Sequence, residues 1–239
     1  MDLSIAGLIA AMLLVLFGSL VQSAIGFGLA ILAAPLLFLI DPRLVPGPVL
    51  VLAMVLSVAN VWKNHADLAF GELSSAIVGR IPGMALALWL LTWASTEQMS
   101  LLVGGAVLAA IAISLTPVRI EPTPRRLLGV GAVSGFMGTA TSIGGPPMAL
   151  IYQHATGARI RANLGAYFLI SSIMSLLGLA LIGRFGWVEL QLSLYLLPAC
   201  LLGFVAGRYV LPWIGPGVVR PVLLVICAIA AIGVLASGL

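Results

Sequence analysis

The chain has 239 residues, of which 62% are hydrophobic and 8% are charged. Because soluble domains carry about 25% charged residues, this composition excludes a soluble globular protein. The net charge of +4 does not indicate nucleic-acid binding, since the basic residues stand singly or in small groups between apolar blocks. The apolar blocks are continuous rather than alternating with polar residues, so they favour membrane-spanning helices over a membrane β-barrel.

Ten apolar segments follow one another along the chain. We predict helices over about residues 4–22, 25–40, 46–62, 73–93, 98–116, 127–140, 147–156, 163–182, 191–211 and 218–237. A helix needs about 20 residues to cross a bilayer, and the sixth and seventh segments reach only about 21 and 15 Å. We therefore expect these two segments to form a re-entrant hairpin that turns at residues 139–147, TATSIGGPP.

The chain also contains an internal repeat. Residues 22–28 (QSAIGFG) resemble residues 140–146, residues 70–73 resemble 187–190, and residues 93–95 resemble 213–215. The three matches occur in the same order at an offset of roughly 118 residues, which indicates a duplication. We expect one integral membrane domain that consists of a first repeat (residues 1–116), a basic cytoplasmic linker (residues 117–126) and a second repeat (residues 127–239).

The basic residues predict how the two repeats are oriented. If the first two segments of each repeat form a hairpin, only Arg43 and Arg184 lie on one side of the membrane, and the other basic residues lie opposite. If each pair is one continuous broken span, the basic residues divide almost evenly. The positive-inside rule favours the hairpins. The predicted fold is an all-α polytopic membrane protein with two inverted repeats of about five helical segments, each with a broken, re-entrant first hairpin and both termini outside the cytoplasm.

Inverted repeats with broken helices are typical of secondary transporters, whose substrate site lies near the membrane midplane. Residues 22–28 (the first tip) and residues 139–147 (the second tip) each precede a new helix, and a helix N-terminus attracts anions through its free N–H groups. Glycines let the backbone approach a ligand, and hydroxyls donate to it; helix packing or capping is the alternative role for the hydroxyls. The candidate substrate-binding residues at the tips are Gln22, Ser23, Gly26, Gly28, Thr139, Thr141, Ser142, Gly144 and Gly145.

A few polar residues lie within other segments. We add Asn60, Asn163 and Tyr167 to the candidate site, with helix–helix hydrogen bonding as the alternative for the asparagines. Asn163 and Tyr167 share a helix face because they are four residues apart. Arg80 lies well inside the fourth segment, and we expect its side chain to extend to the membrane interface, or alternatively to attract anions.

Acidic and glycine residues refine the prediction. No Asp or Glu lies deep within a segment, which disfavours a cation transporter. Gly79 and Gly83 form a Gly-x-x-x-Gly motif, as do Gly203 and Gly207 in the corresponding segment of the second repeat. Such motifs predict tight helix crossings.

Two glycine-rich stretches carry a family resemblance. They are residues 18–28 (GSLVQSAIGFG) with Pro35 after them, and residues 131–138 (GAVSGFMG) followed by residues 143–147 (IGGPP). The chain resembles the TauE/SafE family of sulfite exporter-like permeases over nearly its whole length. The resemblance implies a multi-pass protein of the cytoplasmic membrane that moves sulfite, sulfonates or related organic anions. Its expected partners are a small anionic substrate, the lipid bilayer and a coupling ion, proton or sodium, and no cofactor is expected.

Three other functions compete with a carrier. An anion channel would share the midplane site but would need a continuous pore. A membrane assembly factor would need more partner surface than the short loops offer. An intramembrane serine protease is faintly indicated by residues 131–135 (GAVSG), but no histidine follows His154 and no His-Glu-x-x-His motif is present. We therefore predict that the protein is not an enzyme and leave the channel open.

Overall fold

The computed structural model describes residues 3–25, 28–64, 68, 70–116, 121–152, 157–210 and 216–238. Its helices are α1 (Ile5–Ile25), α2 (Leu29–Ile40), α3 (Gly47–Asn64), α4 (Phe70–Trp93), α5 (Thr96–Leu115), α6 (Pro124–Thr141), α7 (Gly145–Tyr152), α8 (Gly157–Leu181), α9 (Trp187–Val210) and α10 (Pro216–Ser237). A 3₁₀ turn, Pro42–Leu44, precedes α3. Each predicted segment corresponds to one helix, and no strand occurs in these ranges, so the all-helical fold is confirmed.

Six helices are long and apolar enough to cross a membrane, judged by length and composition over the described residues. They are α1, α3, α4, α5, α8 and α9. The side chains of Trp62, Trp93 and Trp187 are exposed at or near helix ends, where aromatic residues meet the membrane interface. The protein is therefore a multi-pass membrane protein.

Each half of the chain begins with a long helix followed by a short one. α1 has 21 residues and α2 has 12, whereas α6 has 18 and α7 has 8. α6 reaches about 27 Å and is longer than predicted, because Pro124 at its first turn starts the helix ahead of the apolar run. α7 reaches only about 12 Å. The re-entrant geometry itself stays a prediction.

The two Gly-x-x-x-Gly motifs lie at two close helix crossings, as predicted. In the first crossing Gly79 lies against the backbone of Leu128, and Gly83 lies against that of Ala132. Residue numbers rise together along α4 and α6, so these helices run parallel.

The second crossing joins α9 to α1. Gly203 lies against the backbone of Leu16, and Gly207 lies against that of Leu20. α1 and α9 therefore also run parallel, and glycine permits both pairs to approach at backbone distance.

Close contacts fix the directions of three further pairs. They are Gly18 with Leu29 and Gly7 with Ile40 between α1 and α2, Cys227 with Ile31 and Gly233 with Leu39 between α10 and α2, and Gly104 with Ala231 and Gly238 with Ser100 between α5 and α10. The first and third pairs are antiparallel, whereas α2 and α10 are parallel.

The described basic residues locate one pair of helix connections. The side chains of Lys63, Arg119, Arg159, Arg161 and Arg220 lie outside the described residues. Arg184 donates to the Ala94 carbonyl at 2.6 Å, which places the α8–α9 connection beside the α4–α5 turn. The cytoplasmic position of the linker at residues 117–126 therefore stays a prediction.

Candidate substrate-binding site

The break between α6 and α7 comprises Ser142, Ile143 and Gly144. Ser142 has a φ of 67°, in the left-handed region, which costs a residue other than glycine roughly 1 kcal/mol. α7 then begins with Gly145, Pro146 and Pro147. Proline is tolerated in a first helical turn but has no N–H group. The N-terminus of α7 therefore offers fewer free N–H donors than the dipole argument from the sequence assumed.

The hydroxyls of the second tip are used within the protein. Ser142 Oγ donates to the Pro46 carbonyl at 2.8 Å, and Thr141 Oγ1 donates to the Met137 carbonyl at 2.7 Å. Thr141 Oγ1 also accepts from the Ile143 N–H at 3.3 Å. In this conformation these hydroxyl protons point at backbone carbonyls, so they stabilise the break.

The glycines of the second tip permit close packing of the chain on itself. The Gly144 carbonyl accepts from Ser134 Oγ at 2.6 Å. A Cβ at Gly144 would lie 2.8 Å from the Ser134 carbonyl oxygen and 3.1 Å from the Gly138 Cα, so a larger residue cannot fit without a shift. Gly145 is half-buried at the start of α7.

The first tip has a different local structure. Gln22 Oε1 accepts from the Leu29 N–H at 3.1 Å and so binds the first free donor of α2. Gly28 precedes α2 with a φ of 136°, which favours glycine. Ser23 Oγ donates to the Leu20 carbonyl at 2.7 Å. Gly26 lies outside the described residues.

A buried arginine lies close to the second tip. Arg80 is 1% exposed, and its Nη2 donates to Thr139 Oγ1 at 3.1 Å, to the Ser171 carbonyl at 3.0 Å and to Ser175 Oγ. The expectation that Arg80 extends to the membrane interface is wrong, because these partners on α6 and α8 hold the guanidinium inside the bundle.

The charge of Arg80 is not neutralised by any described carboxylate. All its hydrogen-bond partners are neutral. Arg43, by contrast, pairs with Asp41 at 2.7 Å near the start of α3. Removing a charge from water costs several kcal/mol unless a partner compensates it. Among the described residues, the positive charge of Arg80 in the protein interior is therefore uncompensated.

α8 presents a polar seam to this charge. Asn163, Tyr167, Ser171 and Ser175 repeat every four residues, so each lies beside the next in a row along α8. Asn163 donates to Glu72 Oε2 at 3.4 Å on α4, and Ser175 Oγ lies 2.7 Å from Thr139 Oγ1 on α6. The prediction that Asn163 and Tyr167 share a face is confirmed.

Three donors in this region have no hydrogen-bond partner among the described residues. They are Arg80 Nε, Tyr167 Oη and Ser171 Oγ. The Tyr167 hydroxyl lies close to the guanidinium of Arg80, but the contact does not have the geometry of a hydrogen bond. Tyr167 is 0% exposed and Ser171 4%. Because buried donors without partners are rare in proteins, their clustering near one charge is a feature that a ligand would explain.

The structure divides the predicted site residues among several places. Thr139, Asn163 and Tyr167 lie around the α4–α6–α8 junction. Thr141, Ser142, Gly144 and Gly145 form the second tip, whereas Gln22, Ser23 and Gly28 lie at the first, and no described hydrogen bond joins the tips. Asn60 is buried on α3, against Gly165 of α8.

The sequence-derived site omitted Arg80, Ser171 and Ser175. A charge in the middle of an apolar segment is a signal for Arg80, since buried charges in membrane helices usually mark functional positions. The signal for Ser171 and Ser175 is the same four-residue spacing that places Asn163 beside Tyr167 on α8.

The family model described as Sulfite exporter TauE/SafE matches residues 11–234. No curated protein and no solved structure matches the chain significantly. The family match extends over nearly the whole chain and includes both helix breaks and Arg80, so the resemblance carried by the glycine-rich stretches is confirmed. Together with six apolar helices, it identifies a transmembrane permease of a transport family. The chain belongs to the sulfite exporter TauE/SafE family.

Proposed function

We propose that the protein is a secondary transporter that moves a small organic or sulfur-containing anion, similar to sulfite or a sulfonate, across the cytoplasmic membrane. The observation that carries this proposal is the buried Arg80 guanidinium, which has only neutral hydrogen-bond partners. A bound anion compensates this charge, whereas a cation is repelled by it. The membership of the chain in a sulfite exporter family supports the same substrate class.

A relationship between the two halves of the chain supports an alternating-access mechanism. If the two halves are related, α1 corresponds to α6 and α9 corresponds to α4. The α1–α9 crossing then corresponds to the α6–α4 crossing, and both crossings are parallel. α1 runs opposite to α2, and α2 runs along α10. Since α5 is antiparallel to α10 and is joined to α4 by the short turn Ala94–Ser95, α4 and α6 run along α10 and opposite to α1. These directions support inverted repeats, in which one half rocks against the other to move the site between the two membrane faces.

The two tips enter the transport cycle through their helix ends. Ser23, Thr141 and Ser142 donate to backbone carbonyls, so they reach a substrate only in a conformation that releases these bonds. Ser23→Ala, Ser142→Ala and Gly145→Leu are expected to weaken anion binding while membrane insertion persists. Unchanged binding in all three variants would remove the tips from the site.

Flux through purified protein in proteoliposomes tests the function. Saturable uptake of sulfite or methanesulfonate that responds to an imposed proton or sodium gradient is expected of a coupled carrier. The controls are uptake of acetate in place of the sulfur-containing anion, and a sodium gradient imposed without an anionic substrate. An ohmic anion conductance without saturation would instead identify an anion channel, and the absence of any anion flux would contradict both functions.

A further inference from the structure

We infer that Arg80, Tyr167 and Ser171 form a binding site for a monovalent oxyanion at the junction of α4, α6 and α8. The inference rests on the proposed anion transport and names the residues that bind the anion. In this conformation it locates the anion within the α4–α8 seam, and the hydroxyls of Ser23, Thr141 and Ser142 join the site only where their bonds to backbone carbonyls are released.

The first step is the hydrogen-bond count of the guanidinium. Nη2 of Arg80 is occupied by Thr139, the Ser171 carbonyl and Ser175, whereas Nε has no described partner. These bonds hold one end of the planar group in place and leave an N–H unused. A guanidinium that is anchored in this way needs little reorganisation to bind an oxyanion, because its fork is already oriented.

The second step concerns the two unused hydroxyls. Tyr167 and Ser171 are one turn apart on the same face of α8, and the 3.0 Å bond from Arg80 to the Ser171 carbonyl places the guanidinium at this turn. The side chains of all three residues are buried, and none of these donors bonds to a described residue. An oxyanion can satisfy the three donors, because each of its oxygens accepts more than one hydrogen bond.

The third step is the charge. The described surroundings of Arg80 contribute one positive charge and no carboxylate that pairs with it. A monovalent anion neutralises the site, whereas a divalent anion leaves one negative charge in a low-dielectric interior. A sulfonate is a monovalent oxyanion and therefore meets this condition, as a carboxylate also does.

A purely structural role for Arg80 is the competing explanation, since its bonds tie α4 to α6 and α8. Tyr167→Phe and Ser171→Ala separate the two roles. Each substitution removes a hydroxyl that bonds to no described residue, so the melting temperature of the ligand-free protein is expected to stay constant or rise. A structural role predicts that these variants bind anions normally.

The experiment is a calorimetric titration of the full-length protein in detergent with methanesulfonate, and with acetate for comparison. Tyr167→Phe and Ser171→Ala are each expected to weaken methanesulfonate binding by about tenfold, as for the loss of one hydrogen bond to a charged group. The double variant is expected to lose about 100-fold in methanesulfonate affinity. Tyr195→Phe and Ser74→Ala, at two accessible positions, are matched controls and are expected to bind as the wild type does.

The outcomes distinguish the site from the function. Wild-type methanesulfonate transport with unchanged affinity in both variants would overturn the site and leave the proposed function intact. Transport of another anion without methanesulfonate binding by the wild type would also overturn the site. The absence of flux for every anion tested would reject the proposed function itself.

Discussion

The α4–α6 crossing can be compared with the α1–α9 crossing, because both are parallel helix pairs in which a Gly-x-x-x-Gly motif meets the backbone of the partner helix. They differ in the residue that follows the first glycine of each motif. In α4 this residue is Arg80, which is anchored to α6 and α8. In α9 it is Phe204, which is buried in the apolar core.

The partners of the two residues differ accordingly. The guanidinium carbon of Arg208 lies over the ring of Phe204, 4.9 Å from the ring centroid. The nearby polar contact joins Ser19 Oγ to Cys200 Sγ at 3.3 Å. Beside Arg80, by contrast, the hydroxyls of Tyr167 and Ser171 lack described hydrogen-bond partners, as does Nε of Arg80 itself. The motif thus sets the distance between helices, whereas the residue within it decides whether the crossing packs apolar groups or presents a charge.

Replacing Arg80 tests this difference most strongly. Arg80→Met is expected to reduce anion flux by about 100-fold or more, because removing one partner of a buried charged contact costs 2–5 kcal/mol. The melting temperature is expected to change little, since the lost hydrogen bonds are offset by the removal of an uncompensated charge. Flux in proteoliposomes and thermal unfolding in detergent measure the two effects.

The matched control at the second crossing is Phe204→Leu. It is expected to lower stability by about 1 kcal/mol and to preserve flux per folded molecule. Normal flux in Arg80→Met would contradict a role for the charge in transport, and a strong loss of flux in Phe204→Leu would show that the crossings are not functionally different.

The glycines of the first crossing are expected to have the next largest effect. A Cβ at Gly83 would overlap the Ala132 carbonyl oxygen, so Gly83→Ala is expected to destabilise the protein by about 1–3 kcal/mol through overpacking. The displaced α4 would also move Arg80, so flux per folded molecule is expected to fall. Unfolding in detergent, together with flux at matched protein content, measures both effects.

Two glycine variants make this prediction specific. Gly129→Ala lies on α6 with nothing within 4 Å of the new Cβ and is expected to be neutral or slightly stabilising. Gly207→Ala at the second crossing would meet Ser23 and Leu20 and is expected to lower stability with a smaller loss of flux. Equal flux losses at both crossings would indicate that any helix displacement stops transport.

The helices and their tight crossings could be predicted from sequence, because apolar length and glycine spacing are local properties. The environment of Arg80 could not be predicted, because it depends on Thr139 and Ser175 from distant helices. The serine and threonine donors of the tips were assigned to substrate, yet Ser142 donates to Pro46 in the turn that precedes α3. A hydroxyl in a sequence gives no indication of which acceptor the fold will place beside it.

Substitutions at the break between α6 and α7, which lies beside the first crossing, are expected to have smaller effects on stability. Ser142→Ala removes the 2.8 Å bond to Pro46 and keeps a side chain at a φ of 67°. Ser142→Gly removes the same bond but relieves the left-handed strain. The glycine variant is therefore expected to be more stable than the alanine variant by about 1 kcal/mol. Thermal unfolding of the two proteins measures this difference, and equal stabilities would show that Ser142 does not hold the left-handed conformation.

The smallest effect is expected at the polar pair of the second crossing. Sulfur is a weak acceptor, so the Ser19 to Cys200 bond is expected to contribute no more than about 0.6 kcal/mol, the average for polar contacts between membrane helices. Ser19→Ala is therefore expected to unfold and to transport almost as the wild type does. Ser100→Ala on α5, which loses a 3.1 Å bond to the Thr96 carbonyl within one helix, provides the buried-serine control. If Ser19→Ala abolished flux while Ser100→Ala did not, the α1–α9 crossing would also take part in transport, and Arg80 would not mark a functional difference between the two crossings.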